Sequence, residues 1–275
     1  MGEVYLAREH ATERVVAVKF VRPAGSRTAQ ERFLVEVRAL AALDHPNIVR
    51  VLAADFLRAD PFYTMELVDG GSLGEWVREH GPLAPADAAR VVAAVARAVA
   101  AAHDRGILHR DLKPGNILLA GPPGAIPGLG GLAACVPKVS DFGLAKRVDH
   151  DDLLTATTGP LGTPGYMPPE QISRRNGAVG PWSDVYGLGA TLYHLLTGKP
   201  PFGPGDHAEV MHRVLADPAP GARAARPDCP PGLEGVVAKC LEKNPTDRYP
   251  TAAELADDLD RFLAGETPAT TSPTA

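Results

Sequence analysis

The chain has only three cysteines in 275 residues, at 135, 229 and 240. Their spacing matches neither a metal-ligand set nor a disulfide framework, which points to a reducing cytoplasm. No run of eighteen apolar residues occurs, and Met1 is followed by charge instead of a signal-peptide core, so neither a membrane span nor a leader is expected. The Ala-rich stretch from Ala84 to Ala102 is apolar but carries Asp87, Arg90 and Arg97 and reads as a buried amphipathic helix. Neither sign of charge strongly outweighs the other, with 28 Lys and Arg against 33 Asp and Glu. A formal net charge of -5 and a pI near 6.0 give no reason to expect nucleic acid or an anionic membrane as a partner. The length suffices for a sizeable core, in one bilobal unit or two small domains.

Against these absences one stretch stands out, His109-Arg110-Asp111-Leu112-Lys113-Pro114-Gly115-Asn116. Pro114 bars a regular helical interior between Asp111 and Asn116, so the spacing suits a tight loop aiming both side chains into one cleft. An aspartate there can accept a proton from an attacking hydroxyl, an asparagine carbonyl can bind a hard cation, and Lys113 can sit on a transferring phosphate. Three residues of such a motif recur by chance, whereas eight in register do not. Further segments follow in order: Val16-Ala17-Val18-Lys19, Glu36, Asp141-Phe142-Gly143, Pro168-Pro169-Glu170, Asp184 and Arg248.

Around them the pattern reads as alternating strands and helices. Val15 to Val21 is β-branched and strand-like, and carries Lys19, a residue type that in an apolar strand is usually an edge or snorkelling lysine. Thr28 to Leu43 has apolar residues at 33, 34, 37, 40 and 43, a helical stripe. A turn at His45-Pro46-Asn47 leads into a strand, a turn at Arg58 to Pro61 and a second strand through Val68. Ser72 caps a short helix. Pro85 to His103 is helical, with Gly106 ending it. Ile117 to Leu119 is a strand, and Gly121 to Pro137, rich in Gly and Pro, is a mobile surface insert or a docking loop. Helices near 206 to 216, 232 to 243 and 251 to 263 are separated by Pro-rich turns.

The ordered segments resemble those of eukaryotic-like Ser/Thr protein kinases of the bacterial Hanks type, from Gly2 to Leu263. The resemblance implies an α+β, bilobal fold: a small antiparallel β-rich lobe over 1–68 with one regulatory helix, and a larger, mainly helical lobe over 69–263. Residues 264–275 have the composition of a Thr/Pro-rich linker or disordered tail. It also implies transfer of the γ-phosphate of ATP to Ser/Thr hydroxyls of protein substrates, with Mg²⁺ or Mn²⁺ as cofactor. In that scheme Asp111, Lys113, Lys19 and Thr163 are catalytic, and Asn116 and Asp141 hold the metal. Gly2, Val4, Ala17, Lys19, Glu36, Met65, Glu66, Val68 and Leu118 bind ATP, with Glu36 pairing Lys19 and Met65 as gatekeeper as well as core residue. His109, Arg110, Phe142, Glu170, Asp184 and Arg248 are structural. His109 and Phe142 stack with Leu40 and Val51 in an apolar spine, Asp184 holds the catalytic-loop backbone, and Glu170 pairs with Arg248. Pro168 stands where the family usually has alanine.

Gly162-Thr163-Pro164-Gly165-Tyr166 resembles the Ser/Thr-kinase substrate platform. Thr155, Thr157 and Thr158 are candidates for activation-loop phosphorylation, paired by Arg110, and a homodimer for trans-autophosphorylation is the further partner implied. Gly2-Glu3-Val4-Tyr5-Leu6-Ala7 resembles the second half of a glycine-rich loop; the first strand and first two glycines are not in the sequence. That keeps open a second class of function, a non-catalytic ATP-binding pseudokinase scaffold. A third, a small-molecule kinase of the aminoglycoside type, is disfavoured by the activation segment and Pro169-Glu170.

Overall fold

A computed structural model describes residues 3–10, 12–20, 37–55, 61–121, 132, 134–142 and 164–271. Its first part is an antiparallel sheet of β1 (Val4–Arg8), β2 (Val15–Phe20), β3 (Val51–Asp55) and β4 (Phe62–Glu66), in the order β1-β2-β4-β3. The β-branched run of β2 makes it a central strand. Lys19 lies opposite Val4 on one side and Tyr63 on the other, and Ala17 lies opposite Met65. Residues 37–41 are helical and bury Val37 and Leu40, one turn apart on the same face.

The second part contains α1 (Leu73–His80), α2 (Pro85–His103), the hairpin of β5 (Ile117–Ala120) and β6 (Val136–Val139), α3 (Pro169–Ile172), α4 (Pro181–Thr197), α5 (His207–Ala216), α6 (Ala222–Ala225), α7 (Pro231–Cys240) and α8 (Ala252–Leu263). Ser72 caps α1 reciprocally, its Oγ accepting from Glu75 N at 3.2 Å and its own N–H donating to Glu75 Oε2 at 2.8 Å. Proline opens α2, whose Ala and Val residues are buried on most sides because α4 and α8 pack against it. No helix among the described residues is long and apolar enough to cross a membrane.

The structure differs from the sequence reading at several edges. The strand expected through Val68 ends at Glu66. Val136 and Pro137, assigned to the surface insert, belong to β6, and Leu132 is buried in the core; residues 122–131 and 133 lie outside the described residues. α7 stops at Cys240 instead of 243, and α6 was not anticipated. Residues 264–271 stay on the fold, and 272–275 lie outside the described residues. Pro268 is buried, residues 269–271 form a 3-10 turn, and Asp258 Oδ1 accepts from Ala269 N at 2.7 Å.

Candidate active site

The site is built on a buried carboxylate. Asp184, in the first turn of α4, is 1% exposed. Its Oδ2 accepts from His109 N at 2.8 Å, its Oδ1 from Arg110 N at 2.7 Å, and His103, closing α2, brings Nε2 to within 2.8 Å of Oδ2. Burial alone would raise this carboxyl, but the hydrogen bond with His103 and the backbone N–H of His109 hold it below the usual range. The loop it grips bends sharply. Arg110 has φ +63°, a left-handed conformation rare for a side chain of that size, and Asp141 has φ +57°. On the other side Gln171 Nε2 donates to Arg110 O at 3.0 Å.

His109 is fully buried. Its Nδ1 accepts from Asp111 N at 3.2 Å, which leaves Nε2 to donate to Ser140 O at 2.9 Å, the neutral tautomer. Its ring lies 4.7 Å from that of Phe142, and Phe142, Leu40 and Val51 belong to the same buried core. Burial pushes the imidazole below its ordinary value. A buried neutral ring bonded at both nitrogens is packing, not an acid or base.

The loop presents its polar groups on one side. Asp111 Oδ2 accepts from Lys113 Nζ and from Asn116 Nδ2, both at 3.1 Å, and Asn116 Nδ2 also donates to Asp111 O at 2.7 Å. Asn116 ends the 3-10 turn Pro114–Asn116 that leads into β5, and its backbone oxygen accepts from Ser140 N at 2.9 Å and Ser140 Oγ at 3.1 Å. This fixes Asp141, the next residue, beside it. From the sheet, Lys19 Nζ reaches Asp141 Oδ1 at 2.5 Å. Five polar side chains from three segments thus converge.

The donors there suit a small hard cation. With its nitrogen bonded to Asp111, the Asn116 amide has its oxygen end left for a metal, and Asp141 supplies a carboxylate. Among the described residues no group of three or more His, Cys, Asp and Glu side chains comes together. One carboxylate and one amide oxygen fit Mg²⁺, which keeps several waters and takes substrate phosphate oxygens.

Of the residues that the sequence reading assigns to the nucleotide, Ala17 and Met65 are buried and adjacent across β2 and β4, Leu118 and Val68 are half-buried, and Val4 is exposed. Glu66 sits at the end of β4, its N–H donating to Arg50 O at 3.0 Å. Gly2, Glu36, Thr155, Thr157, Thr158 and Thr163 lie outside the described residues, as does Gly143. Beneath the site Glu170 and Arg248, both buried, form a two-pronged pair at 2.8 and 2.9 Å, with Ser183 Oγ donating to Glu170 Oε1 at 2.7 Å. Arg248 spends its remaining N–H groups on Glu242 O, Trp182 O and Lys243 O, so all five donors are used. Sequence reasoning missed His103 and Gln171. His103 left a faint trace as a basic residue in the last turn of a helix, and Gln171 left none.

The family model described as protein kinase domain matches residues 1–259. The chain is 40% identical to the serine/threonine-protein kinase PknB of Mycolicibacterium smegmatis over 276 residues, covering 98% of this chain and 42% of that protein. It is 39% identical to the serine/threonine-protein kinase PkaA of Streptomyces coelicolor, covering 94% of this chain and 47% of the relative. Among solved structures, a Rad53 fragment spanning its residues 1–466, in complex with AMP-PNP, superposes with a TM-score of 0.72 at 25% identity, covering 93% of this chain and 60% of that one. The chain belongs to the protein kinase domain family. It spans less than half the length of the bacterial relatives it matches.

Proposed function

We propose that this chain is a catalytic domain that transfers the γ-phosphoryl group of ATP to serine and threonine hydroxyls of protein substrates. The observation that carries the reading is the convergence of Asp111, Lys113 and Asn116 on one loop with Asp141 and Lys19 from two other segments. Asp111 orients the acceptor hydroxyl and takes its proton. Lys113, bonded to that carboxylate, also neutralises charge on the group in transfer. Lys19 stabilises the α- and β-phosphates, with Glu36 as its partner when the regulatory helix is in place. Asn116 and Asp141 would hold Mg²⁺, or Mn²⁺, which when bound would supply neutralisation of phosphate charge. Ala17, Met65 and Leu118 pack on the base, Glu66 and Val68 meet it through their backbone, and Gly2 and Val4 cover it. Thr163 joins the Asp111–Lys113 pair on the substrate side. The domain divides at about residue 68, works in a reducing cytoplasm, and forms a homodimer for trans-autophosphorylation on Thr155, Thr157 or Thr158, with Arg110 receiving the phosphate. No described feature favours the scaffold reading. The test is incubation with γ-labelled ATP and Mg²⁺ followed by phosphoamino-acid analysis and peptide mapping. Label on phosphothreonine or phosphoserine is expected, with sites at 155, 157 or 158; an unlabelled protein that also labels no protein acceptor would refute the proposal.

A further inference from the structure

Glu66, the last residue of β4, is held from behind by two segments. Its Oε1 accepts from Lys138 Nζ at 2.8 Å and from Arg50 N at 2.9 Å. Lys138 stands on β6, the strand that runs on to Asp141, and Arg50 lies just before β3. Only 17% of the lysine side chain and 23% of the glutamate side chain are exposed. The surrounding backbone is sewn together as well: Asn47 Nδ2 donates to Pro137 O at 2.8 Å, Val139 N to Asn47 O at 2.8 Å, and Val49 N to Val139 O at 2.9 Å. The ammonium also faces His45, whose imidazole is held below its ordinary value first by burial and then by the charge of Lys138.

A largely buried ion pair adds little net stability over an apolar pair of the same size, because desolvation consumes the Coulombic gain. What this pair does supply is a fixed position. Glu66 immediately precedes Leu67 and Val68, and pinning its side chain to β6 fixes the peptide plane that the base of a nucleotide meets. The same strand fixes Asp141 at the phosphate end, so one rigid element sets both ends of the pocket.

We propose that Lys138 is a positioning residue for nucleotide binding, acting through Glu66. The inference rests on the ATP-binding reading above. Lys138→Met keeps length and removes the charge, and it should weaken Mg-ATP affinity and raise the KM for ATP about fivefold, while kcat stays within about twofold of the unaltered chain. Lys138→Arg, which still donates to the carboxylate, should restore most of the affinity. Adding Glu66→Gln to Lys138→Met should cost no further affinity, since one coupling is removed once. Should Lys138→Met fail to fold, Lys138→Glu compared with the reversed pair Lys138→Glu plus Glu66→Lys asks the same question, with affinity recovered only in the pair. ATP affinity is measured by calorimetry and kinetics by transfer to a protein acceptor, with melting curves as the fold control. Unchanged ATP affinity in Lys138→Met, or a fall or rise in kcat at constant KM for ATP, overturns the inference while leaving the kinase reading intact. An unaltered chain that neither binds Mg-ATP nor transfers phosphate refutes the kinase reading itself.

Discussion

His109 adjoins Asp111, the residue proposed to take the hydroxyl proton, yet is built to stay neutral. Burial holds its imidazole below the ordinary value, so between that folded value and about 6.5 the unfolded chain binds a proton that the folded chain does not. Its contribution to stability is present above about pH 6.5 and is lost as the pH falls toward the folded value. Asp184 acts in the same direction further into acid: its carboxyl is held low, so its contribution is present above about pH 4 and is lost as pH falls through the folded value. The expected outcome is a melting temperature that declines from pH 7 to pH 5. His109→Phe, which cannot titrate, should flatten that limb while lowering the plateau, because Ser140 O loses its donor. Melting curves over that range check it, and an identical slope in both proteins would contradict the role assigned to His109.

Among the elements, α4 carries the closest packing. A Cβ on Gly189 would lie 2.2 Å from Cys240 Cβ in α7, and one on Gly187 would lie 2.9 Å from Leu112 Cβ in the loop that carries Asp111. Gly189→Ala therefore has to push α7 away and should cost about 1–3 kcal/mol, read as a shift in the denaturant midpoint. Gly187→Ala should instead displace the loop, lowering kcat at a smaller cost in stability. Elements of this length were legible in the sequence. α2 runs from the proline that opens it to His103 as expected, because a first-turn proline, a dense apolar face and Gly106 all agree on its ends. α6 was invisible because four residues carry no periodicity. The start of β6 was missed because Pro137 reads as a loop residue, although its carbonyl accepts from Asn47 Nδ2 and a proline is tolerated in a short hairpin strand. For residues 264–271 composition reads as linker because a contact such as that of Asp258 on α8 with Ala269 N leaves no local pattern. The site divides in the same way. Asp111, Lys113 and Asn116 meet within one loop and can be read off six residues, whereas His103 and Gln171 reach the loop from other elements through contacts that no local pattern encodes.

At the scale of the whole molecule, distant segments have to be kept in register. Lys19 and Asp141 are 122 positions apart and in contact, and the platform under the site is tied to the far end of the helical part by Glu170 and Arg248, 78 positions apart. Both members of the second pair are fully buried, so Arg248→Met leaves a carboxylate without its cation and should cost about 3–5 kcal/mol. Equilibrium unfolding checks this, and a loss below about 1 kcal/mol would mean that the pair is not an anchor. The fold brings Asp111, Lys113, Asn116, Asp141 and Lys19 together, and the proposed function stands on Asp111 as the group that meets the acceptor hydroxyl. The most direct measurement is therefore phosphate transfer from labelled ATP to a protein acceptor by the unaltered chain and by Asp111→Asn, with Mg-ATP affinity measured on both. Asp111→Asn should bind nucleotide as the unaltered chain does while losing at least about a hundredfold in transfer rate. Equal transfer by the two proteins would contradict it.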